Sequence, residues 1–140
     1  MSSGGHMQIG EVAERTGLSL RTIRYYGEVG LVEPSARSRG GFRLYTEDDV
    51  DRLQLIKRMK PLNFTLEETH KLLQSLDRLN TPGTADDERA ALSSDLDAFE
   101  ESIAQRCRTL RKELAMAEEF GERLRSERAR TADQEAREQG

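Results

Sequence analysis

The sequence predicts a mainly α-helical chain: short helices and one basic hairpin in the first half, then a single long helix. Three observations carry this. Residues 9–32 read as two short helices around Gly17. Residues 34–46 hold Arg37, Arg39, Arg43 and the pair Gly40-Gly41, and no acid. From Ala85 no Gly or Pro interrupts the chain until Gly121, while apolar residues recur in steps of four and three.

The first helix is expected over about residues 10–16. Ile9, Val12 and Ala13 are spaced to face a core. Gly17 ends it, because a sharp turn needs a residue tolerant of positive φ. Ser19 can N-cap a second helix over about residues 20–29, closed by Gly30. Two helices about a short Gly-containing turn form a helix-turn-helix, whose second helix can enter a major groove. That helix carries Arg21, Thr22, Arg24, Tyr25 and Tyr26. Arginine forks and hydroxyls are the groups that contact phosphates and base edges. Arg21, Thr22, Arg24 and Tyr26 are placed in the DNA-binding set. Of two adjacent tyrosines one must face away from the groove, so Tyr25 stays open between core and contact.

Pro34 breaks the chain after this unit. Gly40-Gly41 can form a hairpin tip, with Phe42, Leu44 and Tyr45 along the return strand. A basic hairpin after a helix-turn-helix is a wing. Arg37, Arg39 and Arg43 are its expected phosphate contacts. Phe42 and Leu44 read as wing-to-core packing, and Tyr45 fits either role but joins the DNA set.

Thr46 should cap a third helix, with Asp49 three residues on as a weaker form of capping box. Val50, Leu53, Leu55, Ile56 and Met59 give that helix an apolar face, and Pro61 ends it. Thr65 with Glu68 is a full capping box for a fourth helix, about Leu66–Leu79, with Leu66, Thr69, Leu72, Leu73 and Leu76 inward. Pro82 and Gly83 make residues 80–87 a hinge. The long helix then runs over about residues 88–128. Its seam is Leu92, Leu96, Phe99, Ile103, Cys107, Leu110, Leu114, Ala117 and Leu124. Such steps suit a coiled coil, with a stutter at 99, 103 and 107 that would locally unwind a supercoil. Gly121 also falls on the seam. A lone helix of that length has nothing to bury its stripe against, so a second copy is the expected partner. In an antiparallel pair centred at the seam midpoint, Cys107 faces its own copy. It reads as a small seam residue, with a thiol sensor as the sharper alternative. Residues 129–140 are expected to be a fraying polar tail.

Bulk properties bound the function. At 140 residues the chain is one small domain plus an extension. Net charge is −4, yet its distribution matters more than its total. Residues 7–60 carry ten Lys/Arg against eight Asp/Glu. One cysteine excludes an intrachain disulfide and any Cys-rich metal site. No metal or other cofactor is expected, and His70 reads as a partly exposed helix residue. No apolar run approaches a membrane span and no signal peptide is visible, so a cytoplasmic, nucleoid-associated chain is expected. Residues 1–6 resemble a cloning remnant, with Met7 as the expected natural start. No paired carboxylates, phosphate loop or nucleophile–base pair suggests an enzyme.

The ordered set IGEVA, TIRYYGEVGLV, RSRGGFRLY and TEDDVDRLQLIKRMK, followed by a long helix, resembles the MerR family of bacterial transcription regulators. The resemblance covers residues 7–79. It implies a homodimer joined by an antiparallel coiled coil and bound to a palindromic double-stranded promoter site. It also implies an overlong promoter spacer, bent and untwisted so that RNA polymerase, acted on indirectly, meets both elements on one face. Lys57, Arg58 and Lys60 suit the C-terminal dipole of the third helix. The resemblance adds that one or two of them touch the backbone, and Lys60 joins the DNA set. Metal-sensing members carry cysteines at both ends of the dimerisation helix, which this chain lacks. Two other readings stay open: an architectural winged-helix protein that bends DNA, and a coiled-coil adaptor working through the long helix.

Overall fold

The computed structural model describes residues 5–140, in two units divided between Asn80 and Thr81. The expected cloning remnant lies outside the described residues for positions 1–4. In the first unit, β1 (Met7–Gln8) leads into α1 (Ile9–Thr16) and α2 (Leu20–Glu28). The hairpin strands β2 (Ala36–Arg37) and β3 (Arg43–Tyr45) follow, then α3 (Glu47–Met59), a 3-10 turn (Lys60–Leu62) and α4 (Leu66–Leu79). The second unit is α5 (Asp86–Gln139).

Local chemistry fixes each boundary. Gly17 caps α1 at φ 73°, its N–H donating to the Ala13 carbonyl at 2.9 Å. Ser19 Oγ accepts from Thr22 N at 3.0 Å and so caps α2. Thr46 and Asp49 form a complete capping box on α3, although Asp is the shorter partner. Asp49 Oδ2 also accepts from Ser35 Oγ at 2.6 Å, tying the approach to the wing to the same helix start. Thr65 and Glu68 cap α4 in the expected way.

The three strands form one antiparallel sheet in the order β1-β3-β2. Met7 pairs with Tyr45 and Gln8 with Leu44, while Ala36 pairs with Leu44 and Arg37 with Arg43. The sheet edge strand β1 is two residues long, too short for any alternation to announce it. The core gathers Val12, Ile23, Leu31, Val32, Val50, Leu53, Ile56, Leu73, Met7 and Tyr45. Burying such side chains contributes roughly 1.5–3 kcal/mol each. Leu55 and Leu66, expected inward, stand 39% and 40% exposed. Leu55 lies between the buried turns at 53 and 56, on the flank of the stripe.

Polar clamps complete the first unit. Arg15 grips Glu47 with two bonds, Nη1–Oε1 2.6 Å and Nη2–Oε2 2.7 Å. Lys57 Nζ and Gln54 Nε2 donate to the Thr16 and Arg15 carbonyls at 2.8 and 3.1 Å, covering the open end of α1. Arg52 Nε donates to the Leu31 carbonyl at 3.0 Å, and its Nη1 reaches Asp77 on α4. His70 Nε2 lies 2.8 Å from the Val29 carbonyl, which can only accept, so the imidazole donates there.

In the second unit α5 is one helix of 54 residues, about 80 Å long at 1.5 Å per residue. Asp86, Asp87 and Glu88 in its first turn favour the dipole. α5 extends past residue 128, where a polar tail was expected to begin, and runs unbroken through Gly121 to Gln139. No proline lies within it, and Glu122–Arg125 and Glu127–Arg130 pairs support the last turns.

Candidate nucleic-acid interface

The surface that matters is built by α2 and the hairpin. Ile23 is fully buried and fixes the rotation of α2. Arg21 and Arg24 then fall on the exposed side of the helix. Thr22 is half-buried, and its Oγ1 accepts from Ser19 Oγ at 2.9 Å. Tyr26 lies three residues after Ile23, one turn on, and its ring packs against the core. Tyr25 is the more exposed tyrosine, at 48%. Tyr25, which the sequence left open between core and contact, is thus on the outer side, while Tyr26 is partly buried and still borders a surface cleft. The two rings sit 5.9 Å apart at 51°. Burial pushes the Tyr26 hydroxyl above its ordinary range, with Tyr25 adding to the rise.

The hairpin turns at Ser38 to Phe42. Ser38 N donates to the Phe42 carbonyl at 2.9 Å, Gly41 N to the Ser38 carbonyl at 2.9 Å, and Phe42 N to Ser38 Oγ at 3.1 Å. Gly41 takes φ 83°, which a side chain would resist. Arg39 is exposed at this tip. Arg37 and Arg43 are direct cross-strand partners. Like charges in that position oppose pairing of the strands. The hairpin segment itself holds no acid, and the nearest carboxylates sharing a cleft with both arginines are Glu28 and Glu33 from the flanking chain. Arg37 Nη1 reaches only the Gly41 carbonyl, at 3.2 Å. Arg43 Nη1 is buried with no hydrogen-bond partner.

Arg24 from α2 and Arg37 and Arg43 from the hairpin line one cleft of ≈ 210 Å³, together with Gln8, Ile9, Gly41 and Phe42. The concave side between second helix and wing is therefore cationic. Its lining holds three guanidinium groups and no carboxylate, the chemistry of an anion site.

Tyr45 is not on this surface. It is fully buried on β3 and belongs to the core, so its place in the DNA-binding set is withdrawn. The strand's period of two explains it: Arg43 and Tyr45 share one side of β3, with the Arg43 guanidinium close enough to act on the Tyr45 hydroxyl. The Tyr45 hydroxyl has no well-aligned partner. Burial raises its pKa, against the lowering pull of the nearby Arg43 guanidinium. Phe42, expected to pack on the core, is 62% exposed at the wing tip. Lys60 is exposed in the 3-10 turn and borders a separate cleft of ≈ 260 Å³ beside Tyr25, Tyr26 and Phe64. Lys57 is engaged with α1 instead.

All nine seam residues lie on α5. Leu92, Leu96, Phe99, Ile103, Cys107 and Leu110 are half-buried, and Leu114, Ala117 and Leu124 are exposed. Sequence reading passed over Met116 and Phe120, which are 69% and 66% exposed beside the seam. Their spacing of four was the available signal. Among the described residues no group of three or more His, Cys, Asp or Glu is placed to hold a metal ion.

A winged helix-turn-helix with a cationic cleft and a long trailing helix invites comparison with known regulators. Residues 7–76 match the MerR HTH family regulatory proteins, and residues 50–117 match the MerR DNA-binding family. The chain belongs to the MerR family. The mercuric resistance operon regulatory protein of Bacillus cereus is 48% identical over 71 residues, covering 51% of this chain and 54% of that protein. The chain thus spans about half the length of that relative. The heavy metal-dependent transcription regulator 2 of Rhizobium meliloti is 33% identical over 107 residues, covering 75% and 72%. Among solved structures, the transcription regulator PbrR691 of Ralstonia metallidurans in complex with lead(II) is similar at TM-score 0.51 and 35% identity, over 77% of this chain and 82% of that one. HiNmlR, a MerR family regulator lacking the sensor domain and bound to promoter DNA, shares the fold at TM-score 0.61 and 21% identity, over 81% and 86%.

Proposed function

We propose that this MerR-family chain is a sequence-specific DNA-binding transcription regulator. It binds a palindromic promoter site as a homodimer and distorts the promoter spacer. The observation that carries the reading is the cleft in which Arg24, Arg37 and Arg43 converge between α2 and the wing. Arg37 and Arg43 face each other across the hairpin, and a phosphate bound between them would offset their repulsion. Arg21, Arg24 and Tyr25 on the exposed side of α2 are then the candidates for base edges. Arg37, Arg39 and Arg43 hold flanking phosphates, and Lys60 extends the contact at the far end of α3.

Two copies joined along the α5 seam set the spacing between half-sites. A bent spacer meets more of the protein along its phosphate backbone, and that offsets the cost of deforming it. RNA polymerase is affected through the altered promoter. The site of action is the nucleoid in the cytoplasm. Among the described residues no helix is long and apolar enough to cross a membrane. No enzymatic step is proposed. No effector is assigned, since one cysteine, Cys107, gives a subunit no thiolate cluster.

The test uses a duplex selected from a random-sequence pool by the intact chain. Arg24→Ala should weaken binding by roughly 1–3 kcal/mol and relax preference at one base position. Arg43→Ala should weaken all sequences alike and reduce the salt slope by about 0.9. Unchanged isotherms for both variants, or failure to select any duplex, would overturn the reading.

A further inference from the structure

Phe42 stands out because it is a large apolar side chain outside the core. It is 62% exposed at the tip of the hairpin. It is not surplus core, since the core closes beneath it with Tyr45 fully buried. It also lines the same cleft as Arg24, Arg37 and Arg43. A bare aromatic ring beside three arginines is an apolar contact placed inside an ionic site.

The tip holds the ring in place. A Cβ built on Gly40 would lie 3.1 Å from Phe42 Cε2 and 3.3 Å from Cδ2, so one ring edge rests against the unsubstituted Cα of Gly40. Gly40 does not need its freedom for the backbone; its φ is not positive, unlike that of Gly41. Its missing side chain instead leaves room for the ring. Seated along one edge, the ring offers its free face and opposite edge to whatever enters the cleft. It can lie against the next non-ionic surface beside a phosphate, which is the deoxyribose.

We infer that Phe42 is a DNA-contacting residue, packing on the deoxyribose next to the phosphate held by Arg24, Arg37 and Arg43, with Gly40 positioning the ring. The inference rests on the DNA-binding reading. It divides the wing into two kinds of contact. The arginines release counterions, so their contribution falls with salt. Phe42 buries apolar surface, so its contribution does not. A wing built this way keeps part of its grip at ionic strengths that weaken the arginines.

The test measures Kd against salt concentration for the intact chain on the duplex selected above. Phe42→Ala should weaken binding about tenfold with an unchanged salt slope. Its melting temperature should stay that of the parent, because the ring is exposed. Phe42→Tyr should keep the affinity. Gly40→Ala should displace the ring and weaken binding a few-fold in the parent, and have no effect in the Phe42→Ala background. Independent losses from the two substitutions would remove the positioning role.

Full affinity in Phe42→Ala, with Arg43→Ala weakened, overturns the inference and leaves the DNA reading standing. Full affinity in both overturns the two together. A lower melting temperature in Phe42→Ala makes the residue structural and also overturns it. A changed bend angle in a circular-permutation assay would mean a wedge between base steps instead of sugar packing.

Discussion

The first unit and α5 solve opposite problems. Residues 7–80 bury Val12, Ile23, Leu53, Tyr45 and Leu73 to within 1% of full burial. Arg15, Arg52, Lys57 and His70 then fasten the elements to each other. In α5, 54 residues long, no described residue is buried. Its Leu114, Met116, Phe120 and Leu124 are all more than half exposed. One region carries its own hydrophobic core, and the other has an apolar stripe that only a further surface can cover. On the proposed reading, the first unit carries the DNA-reading surface and the long helix carries the dependence on protein concentration.

Removing α5 is the strongest way to break that contrast. A chain ending at Asn80 should keep cooperative unfolding, sediment as a monomer, and bind a single half-site much as before. On the palindrome it should lose on the order of 10²–10⁴ in affinity, because the second half-site is no longer delivered at high local concentration. Equal affinity of the truncated and intact chains for the palindrome would deny α5 any linking role. So would sedimentation of the intact chain as a monomer at micromolar concentration.

Two leucines sharpen the same comparison. Leu53 is fully buried, so Leu53→Ala should destabilise the first unit by about 2–5 kcal/mol, the transfer loss plus a cavity. Leu114 is 59% exposed on α5. Leu114→Ala should leave urea unfolding of the first unit unchanged and raise the dimer dissociation constant. Unfolding curves for the truncated chain and sedimentation for the intact one separate the two effects. A large loss of first-unit stability from Leu114→Ala would contradict the division.

How much of this was legible depends on the range of the interaction. The caps at Ser19, Thr46 and Thr65 and the turns at Gly17 and Gly41 act over three or four residues, and short-range chemistry spells them out. The cationic set Arg24, Arg37 and Arg43 was legible as residue types. Its convergence on one cleft was not, because α2 and the hairpin meet only in the fold. The clamps span 21 to 41 residues of sequence and carry no local signal. Tyr25 and Tyr26 depended on the rotation of α2, which Ile23 fixes from inside. Tyr45 and Phe42 were exchanged. Each sits on a strand or tip too short for its alternation to show which side faces in.

Tyr45 provides a smaller effect. Its hydroxyl is buried without an aligned partner, so the fold bears the desolvation of that group. Tyr45→Phe should leave stability equal or raised by up to about 1 kcal/mol, and should leave DNA affinity unchanged. A clear loss of affinity would restore Tyr45 to the interface. Thermal unfolding and the salt-resolved binding assay decide both points.

The smallest expected effect concerns the exposed clamp between α1 and α3. The hydrogen bonds from Arg15 hold the Glu47 carboxyl below its ordinary value of 4.5, and Glu47 in turn raises Arg15. A carboxylate whose pKa is lower when folded binds fewer protons in the native state. Its contribution is therefore fully present above the unfolded-state value and disappears as pH falls through the folded one. Arg15 stays protonated throughout that range. Glu47→Gln should lower the melting temperature slightly at neutral pH, and the difference from the parent should close as pH drops below that carboxylate range. An exposed pair is screened, so added salt should shrink the neutral-pH difference as well. A parent–variant gap that stayed constant from neutral to acid pH would show that Glu47 acts through packing, not through its charge.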